Sequence, residues 1–118
     1  METKPRITVP IVVEKHYKLI LWFLPKIANF PKDQRYLLAD RIERLLLDIL
    51  ELLISAVYSK QKREILIQVN LKIDVLRFMV RIAADMKFIN LKGYDYFVAQ
   101  AVEIGKMTGG WMKSCSSQ

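Results

Sequence analysis

The sequence predicts an all-α fold, an antiparallel up-down-up-down four-helix bundle. Three observations predict it. Apolar side chains recur at helical spacing through most of the 118 residues. Proline and glycine, four of each, punctuate the chain at few points. No alternating β-branched run is long enough for a sheet: Ile7 to Val13 is the one strand-like stretch, and Pro10 interrupts it. The length suits a single domain over residues 1–118, with no internal boundary.

The first helix is expected over 10–29. Pro10 fits a first turn, where its missing N–H costs nothing. Tyr17, Ile20, Leu21, Leu24, Ile27 and Ala28 supply a helical stripe, and Pro25 should kink it. Phe30-Pro31-Lys32-Asp33 is the clearest break, because proline disfavours helix at the residue before it. The second helix follows over 33–58. Its polar arc is Asp40, Arg44, Asp48, Glu51 and Ser55 with Arg41 beside it, and Arg44 can pair with either Asp40 or Asp48 at i,i+4.

The third helix, 62–88, has the most unusual pattern. At roughly 100° per residue, Asn70, Asp74, Arg77, Arg81 and Asp85 form one narrow polar line. Leu66, Val69, Ile73, Leu76, Val80 and Ala83 lie on one flank. Ile67, Leu71, Val75, Phe78, Ile82 and Met86 lie on the other. A surface helix needs one apolar face. The surplus predicts that one flank packs inside the bundle and that Ile67, Leu71, Val75, Phe78 and Ile82 meet another subunit. The fourth helix is expected over 94–110, ending at Gly109-Gly110 as a C-cap. Ala101, Gly105 and Gly109 make a smooth ridge for close helix packing, Trp111 is an apolar anchor, and Ser114 to Gln118 form a frayed tail.

Composition narrows the function. Hydrophobic residues make up 53% of the chain, yet no run approaches the ~20 residues of a membrane span. The opening Met1-Glu2-Thr3-Lys4-Pro5 lacks the uninterrupted apolar stretch of a signal peptide, and the lone Cys115 suits a reducing compartment. Both point to the cytoplasm, with no membrane partner. The formal charge is +7. It is concentrated as +4 over residues 1–32 and +4 over 59–90, whereas 33–58 carry −2. Such a balance suits a polyanion as well as simple solubility.

Parts for catalysis are missing. His16 has no second histidine or nearby cysteine to make a metal site, and is expected to face solvent or an interface. Cys115 has no nucleophile context. The carboxylates show no Glu-x-x-His pattern, and Gly109-Gly110 follows a helix instead of opening one. The expectation is therefore no enzyme, no metal and no cofactor. Basic groups are the better candidates: Lys15, Lys18 and Lys26 on the first helix, and Lys72, Arg77 and Arg81 on the third. Arg77 and Arg81 can bond phosphate oxygens in pairs or be neutralised by Asp74 and Asp85. Tyr17, Tyr36, Tyr94 and Tyr96 can stack on bases or pack in the core.

Several stretches, taken in order, carry a resemblance. They are Tyr17-Lys18-Leu19 with Trp22 and Pro25; Phe30-Pro31-Lys32-Asp33-Gln34-Arg35; Leu38-Ala39-Asp40-Arg41-Ile42-Glu43; Leu76-Arg77-Phe78 with Arg81; and Glu103-Ile104-Gly105-Lys106-Met107-Thr108-Gly109-Gly110-Trp111. Together they resemble the accessory variability determinant (Avd) family of diversity-generating retroelements, over residues 10 to 113. A wider relation reaches the four-helix-bundle proteins encoded in ribosomal-RNA intervening sequences, which stand as the alternative: a structural or RNA-binding scaffold. The Avd resemblance implies a homopentameric barrel. It implies a reverse transcriptase partner and nucleic acid, template RNA first and DNA second. It also implies a supporting, non-catalytic role in mutagenic cDNA synthesis and retrohoming.

Overall fold

The computed structural model describes residues 9–116, all of whose regular elements are helical. Helix α1 (Ile11–Phe23) runs into a 3₁₀ segment (Leu24–Asn29). A short α2 (Lys32–Gln34) and a π turn (Arg35–Ala39) lead into α3 (Asp40–Tyr58). The two longest helices follow, α4 (Lys62–Asp85) and α5 (Leu91–Ser116). α4 packs on both α3 and α5, and α1 lies against α3 and α5, an arrangement compatible with a four-helix bundle. The turns 59–61 and 86–90 are short, so α3, α4 and α5 run antiparallel to their neighbours. The expected start in Met1 to Pro5 and the tail's last residues, 117 and 118, lie outside the described residues.

Each break has a local cause. Pro25 sits at the start of the 3₁₀ segment, so the expected kink becomes a change of helix type. Arg35 ties that corner, donating from its guanidinium to the carbonyls of Phe30 (3.2 Å) and Ala28 (2.9 Å). Lys62 holds the α3–α4 turn: its Nζ donates to the carbonyls of Ala56, Val57 and Ser59, each at 2.9 Å. These carbonyls belong to a helix end that lacks its own partners. α4 stops at Asp85, short of the expected residue 88. Lys87 turns left-handed at φ 66°, the Phe88 amide reaches back to Ala83 and the Lys87 amide to Ala84. That is the Schellman pattern, here without its usual glycine.

α5 begins three residues before its expected start because Asn90 caps it, its side-chain oxygen accepting from the Gly93 amide at 2.7 Å. Glycine suits position 93: a Cβ there would come within 3.1 Å of that same oxygen. At the other end Gly109 and Gly110 do not cap the helix. No glycine has a positive φ, and α5 continues to Ser116. The expected fraying from Ser114 is thus corrected for the described residues. Trp111 and Met112, half-buried against the core, hold this last stretch down.

The core combines Phe23, Phe30 and Phe97 with the buried Leu, Ile and Val of α3 and α4. Phe23 and Phe97 meet edge to face at 6.1 Å, and Phe30 and Phe88 lie 5.5 Å apart. The buried face of α1 is Val12, Val13, His16, Leu19, Ile20 and Phe23. Tyr17 and Leu21, placed on the apolar stripe from sequence, are exposed instead. His16 also differs from expectation, being only 1% exposed. It lies midway between Val12 and Ile20 on the same helical line, so packing carries it inward. Its Nε2–H donates to the Leu46 carbonyl at 2.8 Å, leaving Nδ1 buried without a partner among the described residues. Burial pushes its pKa below the ordinary 6.5, with the Leu46 hydrogen bond opposing.

Candidate nucleic-acid interface

α4 has three working faces. Leu66, Val69, Ile73, Leu76, Val80 and Ala83 are all buried. The second apolar flank faces out: Leu71 and Phe78 are each 64% exposed, Ile67 and Ile82 are nearly half exposed, and Val75 is half-buried against the core. Between the two flanks, on the side toward α5, Asp74, Arg77, Phe78 and Arg81 line a cleft closed by Tyr94 of α5.

The carboxylates in the polar line do not neutralise these arginines by direct contact. Among the described residues the ion pairs within 4.0 Å are Arg44–Asp40 at 2.9 Å and Lys72–Asp48 at 3.9 Å. Arg44 thus chooses Asp40 over Asp48, and Asp48 turns to α4. Arg77 and Arg81 are exposed and make neither kind of contact. Helical spacing of i,i+3 or i,i+4 permits a pair but does not compel one where water competes.

The other candidate cations are dispersed. Lys72 reaches across to α3, on the side of α4 away from the arginine cleft. Lys15 and Lys18 lie on α1, half-buried and exposed respectively. Lys26 sits in the 3₁₀ segment with its Nζ 4.0 Å above the Trp22 ring, a cation–π contact, and Trp22 in turn meets Tyr96 at 4.6 Å with the two rings tilted by 42°. Of the tyrosines, Tyr36 is the most open and Tyr94 packs against the core.

The small-residue ridge has an unexpected surrounding. Ala101 is buried, but a Cβ added at Gly105 or Gly109 would meet nothing within 4 Å. Among the described residues no helix therefore presses on those glycines. Gly105 and Ala101 instead line a cleft with Asn70, Asp74, Arg77 and Lys106. Lys106 was missed from the sequence, and Tyr94 was singled out only as one of four tyrosines able to stack on bases or pack in the core; the α4–α5 register is what sets both beside the arginines.

Among the described residues no three His, Cys, Asp or Glu side chains group as a metal site, and no helix is long and apolar enough to cross a membrane. The features define an all-helical protein with an unpartnered apolar flank beside uncompensated arginines. A family model described as bAvd-like matches residues 10–115, and the chain belongs to that family, the Avd-type accessory variability determinants. The family is of an accessory, non-catalytic kind. No curated protein matches the chain.

Proposed function

We propose that this protein is a cytoplasmic accessory subunit of a diversity-generating retroelement, one that binds the reverse transcriptase and template RNA and leaves polymerisation to its partner. The observation that carries the reading is the juxtaposition on α4 of exposed Ile67, Leu71, Phe78 and Ile82 with Arg77 and Arg81. The apolar flank, with Val75 at its edge, suits a second copy of the chain: covering one Leu or Phe contributes roughly 1.5–3 kcal/mol. Closure of such contacts gives the homopentamer implied by the family. Five copies at +7 carry a formal +35, a field that draws in RNA and orients it. Arg77 and Arg81, repeated around the ring, make weak single contacts multivalent. Lys15, Lys18 and Lys26 extend the basic surface along α1 and its 3₁₀ continuation.

Light scattering on the purified chain tests the assembly, with an expected mass five times the 13.8 kDa protomer. Leu71→Glu with Phe78→Glu should lower that mass while circular dichroism stays helical. Co-purification with the polymerase and an RNA titration test the partners. Arg77→Ala with Arg81→Ala should weaken at least one of them, and unchanged binding to both would remove these arginines from the site. A polymerase complex that forms without RNA and ignores salt would favour a purely structural scaffold.

A further inference from the structure

The cleft at Arg77 and Arg81 is one end of a longer feature. It shares Asp74 and Arg77 with the cleft over Ala101 and Gly105. That second cleft shares Lys106 with a third, lined by Arg63, Gly109, Gly110 and Lys113. The three join into one groove along the α4–α5 seam. Arg81 stands at one end opposite Tyr94, and Arg63 at the other opposite Lys113, as antiparallel helices require. Arg63 and Arg81 are 18 positions apart, so the groove is about 27 Å long at 1.5 Å per residue.

Charge along it is one-sided. Arg63, Arg77, Arg81, Lys106 and Lys113 border the groove, and Asp74 is the single carboxylate among the lining side chains. Among the described residues, Arg77, Arg81, Lys106 and Lys113 make no ion pair within 4.0 Å. Glycines hold the floor low, because Gly105, Gly109 and Gly110 all have open space where a Cβ would stand. A helix interior loses about 1 kcal/mol per glycine relative to alanine, and among the described residues nothing packs within 4 Å of the space gained.

We infer that the α4–α5 groove is the path of a single RNA strand, its phosphates lying between the two rows of cations. This rests on the reading that the protein binds RNA, and it adds Arg63, Lys106, Lys113 and the glycine floor to that reading. Helix axes in contact are about 8–10 Å apart, so the seam admits one strand and excludes a duplex. About 27 Å accommodates roughly 4–8 nucleotides, from extended to stacked spacing. Tyr94, which lines the Arg81 end, places an aromatic side chain within reach of one base.

The test uses the full chain, a fluorescent 12-nucleotide RNA of mixed sequence, and the duplex of equal length, each titrated from about 50 to 300 mM salt. Each phosphate contact on a single strand contributes about 0.7 to the slope of log affinity against log salt. Lys106→Gln with Lys113→Gln should therefore lower the slope by about 1.4 and affinity by about 25-fold at 0.1 M salt. Gly109→Asp, which sets a carboxylate on the floor where its Cβ has room, should also weaken binding at least tenfold. Lys32→Gln with Arg41→Gln removes the same charge elsewhere and should change affinity less than twofold. Equal losses from both double variants would overturn the groove and leave RNA binding by net charge standing. Duplex bound as tightly as the single strand would overturn the strand assignment. An unmodified chain that ignores RNA at 50 mM salt would overturn the RNA reading itself, and the groove with it.

Discussion

The two long walls of α4 carry similar cations and use them differently. On the wall toward α3, Lys62 donates to three carbonyls at the end of that helix and Lys72 lies 3.9 Å from Asp48. On the wall toward α5, Arg77 and Arg81 border an open cleft and, among the described residues, make no ion pair within 4.0 Å. The first wall answers its charges from within the chain. The second leaves them for something outside. Since one helix bears both, the difference cannot come from its own sequence pattern; it comes from what α3 and α5 present. α3 offers a carboxylate and a helix end rich in acceptors. α5 offers glycines and further lysines.

The largest effect should follow from the most engaged cation. Lys62→Met keeps the apolar stem and removes the ammonium from the carbonyls of Ala56, Val57 and Ser59. Hydrogen bonds to a charged group contribute about 1.5–3 kcal/mol, so urea denaturation should show a loss of that order. Arg81→Met on the other wall should stay within about 0.5 kcal/mol. Equal losses would show that the arginine is structural after all, and the contrast between the walls would disappear.

How far the sequence revealed these walls depends on what sets each feature. The buried flank of α4 was fully legible, because an amphipathic helix states its inner face in its own spacing. Helix ends were less so. Lys87 adopts a left-handed φ that nothing in its neighbourhood advertises, whereas Gly109-Gly110 look like a stop and are held in the helix by Trp111 and Met112. His16 was readable in principle, since Val12, His16 and Ile20 repeat at i,i+4, but its polarity argued for the surface. The cations of the groove were scattered among 63, 77, 81, 106 and 113. Only tertiary register brings them into line, so of the five only Arg77 and Arg81 entered the candidate site.

His16 supplies an intermediate effect and a control on the same contrast, as a polar group wholly taken into the interior. Its folded pKa lies below the unfolded value of 6.5 because burial penalises the imidazolium. The unfolded chain therefore binds the proton first as pH falls. Stability from this group is full above 6.5 and declines below it, until the folded pKa is reached. The slope approaches about 1.4 kcal/mol per pH unit. Urea midpoints measured between pH 7.5 and 5.5 should show this decline in the parent and lose it in His16→Leu. The same decline in both would mean that the titrating group lies elsewhere.

On the α3 wall the smallest effect falls on the longer of the two described ion pairs. Lys72 and Asp48 are 3.9 Å apart with both side chains more than a third exposed, so water and salt screen them strongly. Lys72→Gln should cost at most about 1 kcal/mol, and less in 0.5 M salt than in 0.05 M. Its value lies in the double-mutant cycle with Asp48→Asn. A coupling of a few tenths of a kcal/mol marks the α3 wall as one where even a long pair is formed within the chain. The matching cycle of Arg77→Gln with Asp74→Asn should show no coupling in the free protein, because no ion pair joins them. A coupling there equal to that of Lys72 and Asp48 would mean that Asp74 holds Arg77 in solution, and RNA would have to displace that carboxylate before it could use the groove.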